Sequence, residues 1–403
     1  MRLSSEIQIN DDSLVQTCPL ISQPAPEGKI YLGCKETGNF LIADHYWEVL
    51  THFFNKPLKV NELSDTLQDL FPKYFISGQA LSKTKLMIMH MIKQGIITKI
   101  DNKQIGSGEV SQSHTLKRNK LLSIIFSPPF IVFYTLLSLS SFFLLLSNKI
   151  FIPKPQDFFW SNTYSLCLLT FFIFSWLISF LHELAHFLSA KSQGIKGKIR
   201  LSHRLNFLVI QTSYPNIYSL NKNWRIFIYL SGIILDLIVI SILYLVIKFN
   251  PNINPLIFKL IKQVILLQWL SFLWNFVLYL RTDSYFVVKE LLQIDNLYIR
   301  SQQWIKHIFL GKPFLFKVSK REKIIINFYS AFFLVGILVS VIRYGYYQLP
   351  ITINLFTTSI SKLYLGYINN NIQMYIDGAI VLYIEVAVSL LLIYSIYKDK
   401  RII

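Results

Sequence analysis

From about residue 122 to the C-terminus, apolar runs of roughly 20 residues recur, each long enough to cross about 30 Å of hydrocarbon as a helix. Such runs leave few folds open, because backbone in lipid must satisfy its own hydrogen bonds. The pattern places six spans, at about 122–147, 163–190, 225–248, 257–280, 325–347 and 378–397. A hydrophobic content of 53% and a mean hydropathy of +0.43 agree with an α-helical multi-pass membrane protein embedded in the lipid bilayer of the cell membrane. The first 120 residues contain no such run. The opening MRLSSEIQINDDSL carries acids and lacks an apolar core, so it does not read as a cleavable signal peptide.

The net charge of +18 is unevenly spread: residues 1–110 hold 11 Lys/Arg against 12 Asp/Glu, and residues 111–403 hold 29 against 10. An excess confined to the membrane part reflects the positive-inside rule and anionic lipid, not a nucleic-acid footprint, so no nucleic-acid partner is expected. Segments 191–225 and 281–323 hold 7 and 9 Lys/Arg, whereas 148–160, 249–256 and 344–376 hold 2, 0 and 1. Both termini are therefore expected in the cytoplasm. Lys259 and Lys262 fall inside the fourth span and are expected to snorkel, and Pro128 and Pro129 interrupt the first. Cys18, Cys34 and Cys167 form no CxxC pair and read as structural thiols of a reducing compartment.

Residues 1–101 form an expected N-terminal α+β domain, 102–120 a polar linker and 121–403 the membrane domain. Within the first, KIYLG and NFLIA read as strands joined by a turn, followed by three amphipathic helices. The helices are expected at about 44–55, with Asp44 as N-cap, at 61–71 after Asn61, and at 78–95 ending at Gly95; the strand-like IITKI follows. Two strands, three helices and a closing wing suggest a winged-helix-like domain. The stretch FLIADHYWEVLTHFFNKPLKVNELSDTL with MIKQGIITKI resembles PqqD-like domains. That resemblance implies recognition of a precursor's leader peptide, which adds as a strand to an exposed sheet edge. A regulatory or packing domain without a peptide ligand is the plainer alternative.

The second span ends FLHELAHFLSAK, so His182 and His186 stand four residues apart on one helix face. Two neutral imidazoles at this spacing supply two legs of a tetrahedral Zn²⁺ site, with Glu183 beside them as general base. Ionisable groups at the end of an apolar span cost about 2.5–3.5 kcal/mol each unless relieved, which argues against a chance pattern. The fourth span runs in the same direction and leads to Asp283, the leading candidate for third ligand, with pairing to Arg281 or helix capping as the plainer role. Asp236, in the middle of the third span, is the rival carboxylate, read in preference as a polar packing group beside Ser231 and Gly232. His203 is read as a surface histidine.

These residues resemble the site-2 protease family of intramembrane zinc metalloproteases, which carries HExxH on one helix and an Asn…Asp-Gly motif on a later one. Asn275 lies eight residues before Asp283, as in that motif, and SGIILD at 231–236 falls where the family often has a Gly-containing helix start. Leu278 and Ser284 replace the motif's proline and glycine. The resemblance implies Asp283 as third zinc ligand and Asn275 as a group that positions substrate or the developing oxyanion. RTDSYFVV is similar to a divergent peptide-maturation branch whose members often carry a PqqD-like domain. The family comparison also suggests a hairpin over 196–222, supported by the alternation in KIRLSHRLNFLVIQTSY. A membrane-surface loop is the alternative.

The reading is a six-span membrane metalloendopeptidase that cleaves a precursor peptide or membrane-protein substrate, with an ABC exporter or peptide-modifying enzyme as functional partner, the last by family analogy. Two other functions stay open: a regulatory protease cutting a single-span anti-sigma-type protein, and an export subunit that holds metal without turnover. A desaturase-type oxidoreductase needs more histidines than His203 and His307 supply.

Overall fold

The computed structural model describes residues 9–400 except 26–27, 35–38, 55, 102, 105–119, 162, 205–206, 215–216, 295, 315, 317, 344 and 347–348. Two compact units result: one of residues 1–123, 190–197 and 214–227, the other of 124–189, 198–213 and 228–403. Most of the expected linker, 102–120, lies outside the described residues.

The first unit is β-rich. Strands β1 (Leu14–Thr17), β2 (Leu20–Pro24), β3 (Lys29–Cys34) and β4 (Asn39–Asp44) precede a 3₁₀ turn, His45–Val49, and α1 (Leu50–Phe53). Then come β5 (Leu58–Lys59), α2 (Val60–Leu70), α3 (Ala80–Lys93), β6 (Ile97–Ile100), β7 (Lys103–Gln104) and α4 (Lys120–Ile125). The strands form an antiparallel β2–β3–β4 sheet and a second sheet ordered β5–β1–β6–β7. Leu50, Leu63, Leu67, Ile88 and Met91 come from the helices and Leu32, Ile96 and Ile97 from the sheet side, all fully or nearly fully buried in one core. The helices thus stand near their expected places. Asp44 holds the N-cap position yet makes no capping bond, and the turn it opens is 3₁₀ before it becomes α.

Strands β1 and β2 are additions to the expected pattern, since runs of four and five residues are too short for their period to be read. They also overturn the expectation of free thiols. The β2–β3 register sets Leu20 opposite Cys34, and Cys18, two residues before Leu20, joins Cys34 in a disulfide with Cα atoms 6.0 Å apart. Cys167 is a buried free thiol.

The second unit is helical: α5 (Pro128–Ser147), α6 (Tyr164–Ser192), a hairpin of β8 (Lys198–Arg204) and β9 (Phe207–Ser213), α7 (Lys222–Phe249) and α8 (Pro255–Trp274). After these stand α9 (Asp283–Leu292), α10 (Leu297–Leu310), α11 (Lys320–Arg343), α12 (Leu349–Ile368) and α13 (Ile372–Lys400). Among the described residues six helices, α5, α6, α7, α8, α11 and α13, are long and apolar enough to cross a membrane. The protein is a multi-pass membrane protein with a small β-rich N-terminal unit.

Local chemistry sets where these helices start. Pro128 and Pro129 open α5 instead of interrupting it, because proline's missing N–H is harmless in a first turn. Pro255 does the same for α8, where Asn254 Oδ1 accepts from Leu256 N at 2.8 Å. Lys262 does not snorkel: it is buried, donates to Ile150 O at 2.8 Å and Ile152 O at 3.2 Å, and pairs with Asp157. Segment 344–376 is not merely a loop, since α12 fills most of it and returns against α13, where Gly378 lies against Ser359 and Leu363. Between α5, α7 and α8, Ile240, Tyr244, Ile265 and Trp269 form an apolar core. Its polar atoms are matched, Trp269 Nε1 donating to Tyr244 Oη and that hydroxyl to Phe151 O.

Candidate metal centre

On α6, His182 and His186 follow each other by about one turn, and their rings are buried. Their Nε2 atoms lie 3.1 Å apart. Asp283 Oδ2 sits 2.8 Å from His182 Nε2 and 3.0 Å from His186 Nε2, which closes a triangle of three donor atoms. Glu183 joins the two histidines in a cluster whose ligand atoms all fall within 4.8 Å of one another.

Asp283 reaches the histidines by a route the sequence did not show. Helix α8 ends at Trp274, short of the expected end of the fourth span, and a 3₁₀ turn, Leu278–Leu280, follows. Arg281 then takes a left-handed conformation, φ 57°, and Asp283 becomes the first residue of α9. Thr282, fully buried, stabilises the break by donating from Oγ1 to Asn275 O at 2.6 Å. A left-handed arginine thus makes the turn here, while Ser284 continues into α9. Burial pushes the Asp283 carboxyl up, but the neighbouring His186 and His182 more than reverse this and hold it well below the usual carboxylate range.

The opposite ring nitrogens are held from behind. His182 Nδ1 lies 2.9 Å from Asp236 Oδ2, and His186 Nδ1 lies 2.7 Å from Ile228 O and 3.2 Å from Ser231 Oγ. With Nδ1 of each ring facing an oxygen acceptor, a neutral imidazole that keeps its proton there would offer Nε2 to the triangle. Gly232 of α7 lies against the same space, and a Cβ there would come within 2.5 Å of both Nε2 atoms. A donor set of two imidazoles and a carboxylate, with about 3 Å between donors and a glycine keeping the centre clear, fits zinc bound about 2 Å from each atom.

Comparison with known proteins bears on the same chemistry. The chain is 28% identical over 185 residues, 45% of its own length and 70% of the other's, to the "Putative peptide zinc metalloprotease protein YydH" of Bacillus subtilis (strain 168). It is similar to a protein named as a zinc metalloprotease. No family model matches the chain, and no solved structure matches it.

Asn275 caps α8 with its amide nitrogen on Ser271 O at 3.0 Å, so that donor is turned into its own helix. Asp236 does not bond Ser231; among the described residues its partners are His182 and Ser271, whose Oγ donates to Asp236 Oδ2 at 3.1 Å. The side chain of His203 lies outside the described residues, although its backbone pairs with Leu208 in the hairpin. Two contributors carried no readable signal, Ile228 O and Thr212 of β9, whose hydroxyl donates to Glu183 Oε2; Gly232 stood in the SGIILD stretch that resembles the family's helix start, without its place against the histidines being foreseen. Asp236 was legible as a carboxylate in an apolar span that needs a partner.

Proposed function

We propose that the protein is a membrane-embedded zinc metalloendopeptidase of the site-2 type, acting on a precursor peptide or the membrane-proximal part of a membrane protein. The observation that carries this reading is the Nε2–Nε2–Oδ2 triangle with Glu183 beside it. His182, His186 and Asp283 would hold the ion. Bound there, zinc supplies Lewis-acid polarisation of the scissile carbonyl and makes water a better nucleophile near neutral pH.

The chain's own groups do the rest. Glu183 is free of ligand duty and takes the proton of the attacking water on its carboxylate, then returns it to the leaving amine. Thr212 holds that carboxylate by a hydrogen bond and links it to the β8–β9 hairpin. An extended substrate added along that hairpin would present an unshielded peptide bond, which a helix cannot. Asn275 is proposed to contact the substrate backbone, which requires its amide to leave Ser271 O. The N-terminal unit is proposed to recognise a leader peptide, with an exporter or modifying enzyme as partner and both termini in the cytoplasm.

The test uses the full-length protein in nanodiscs with a candidate precursor peptide, reading zinc content and cleavage together. Glu183→Gln should retain zinc and lose about 10²–10⁴-fold in turnover, the scale of general-base catalysis. Asp283→Ala should lose both. Omitting the leader should weaken cleavage by the wild type. Normal turnover by Glu183→Gln would end the protease reading, and full zinc in Asp283→Ala would remove that ligand assignment.

A further inference from the structure

The Asp236 carboxylate is a charge in an awkward place. It lies on α7, a helix long and apolar enough to span a membrane, and is 1% exposed. An unpaired carboxylate there would be strongly disfavoured. Its partners are His182 Nδ1, at 2.9 Å, and Ser271 Oγ, at 3.1 Å, both on the same oxygen, Oδ2. It cannot share an ion with His182 Nε2, because it binds the opposite edge of that ring.

We propose that Asp236 is a positioning residue of the metal centre: by accepting the Nδ1 proton of His182 it fixes the ring's tautomer and orientation and raises the donor strength of Nε2. This rests on the zinc reading above. The physical ground is general, since a histidine whose far N–H meets a carboxylate is both oriented and made more electron-rich. The two histidines are then unequal. His186 is backed by a neutral carbonyl, Ile228 O, with Ser231, whereas His182 is backed by a full charge. Ser271 of α8 steadies that charge, so Ser271, Asp236 and His182 form a chain across α8, α7 and α6. Helix α8 is also the one whose end leads to Asp283, so the same helix contributes to both sides of the site.

The experiment measures metal binding without relying on turnover. Full-length wild type, Asp236→Asn, Asp236→Ala, Ser271→Ala and His182→Ala are titrated with Zn²⁺ against a chelator of known affinity and loaded with Co²⁺ for its visible spectrum. Asp236→Ala should bind Zn²⁺ about 10–100-fold more weakly, the range for loss of a group behind a ligating histidine. Asp236→Asn, nearly the same shape without the charge, should fall between, and Ser271→Ala should lose less than either. The Co²⁺ bands should shift in both Asp236 variants, which a packing defect distant from the ligands would not produce. Wild-type affinity and spectrum in Asp236→Asn and Asp236→Ala, with His182→Ala unable to bind, would overturn the inference and leave the zinc reading standing. If His182→Ala also binds as wild type does, the zinc reading itself fails and takes this inference with it. Should Asp236→Ala not fold, Asp236→Asn alone decides.

Discussion

Adding one methyl group at Gly232 would close the space that His182, His186 and Asp283 surround. Its φ is unremarkable, so no backbone strain is at issue; the constraint is the 2.5 Å approach of a Cβ to two ring nitrogens. Gly232→Ala should therefore leave a folded protein that binds zinc about tenfold or more weakly, the scale of a disturbed ligand shell. Inductively coupled plasma measurement of retained zinc beside a thermal melt in detergent checks this, and unchanged zinc would show that the rings can yield. At this scale His182, Glu183 and His186 were legible because their chemistry depends on spacing within one helix. Thr212, the partner of Asp236 and the approach of Gly232 to the two rings were not, since each acts on a residue at least 29 positions away.

Among the elements, the break between α8 and α9 matters most, because it brings Asp283 to the histidines. Four unsatisfied carbonyls end any helix, and Thr282 takes up that of Asn275 at 2.6 Å. Thr282→Val should destabilise the protein by about 1–3 kcal/mol, the penalty for a buried acceptor left alone. It should also weaken zinc, since Asp283 follows directly. Thr282→Ser should restore both. Equilibrium unfolding in mixed micelles together with zinc titration measures them, and a Val variant that behaves as wild type would mean the turn is held by Arg281 and its neighbours. The span ending at 280 in the sequence reading shows why such breaks escape notice: WNFVLYL stays apolar through the turn, and hydropathy has no term for backbone direction. Strands β1 and β2 escaped for the related reason that four or five residues carry little periodicity.

For the molecule as a whole, Lys/Arg placement argues that both termini lie in the cytoplasm. Reporter fusions at Lys120 and at Ile403 should both report the cytoplasmic side; activity on the outer side at one site alone would require an odd number of crossings, as if α12 also crossed, and at both sites would invert the orientation. Composition, the six apolar runs and HExxH were written into local sequence, because membrane insertion and helical spacing depend on residues close along the chain. The sequence by itself thus determined a multi-pass helical protein with a two-histidine site and a small α+β unit before it, whose β-rich make-up the structure added. Tertiary structure alone decided that Asp283 meets both histidines, that Asp236 stands behind one of them, that Cys18 joins Cys34 and that Lys262 is buried against Asp157. Each of these depends on which helices and strands become neighbours, and a pattern read along one segment contains no information about the depth or facing of another.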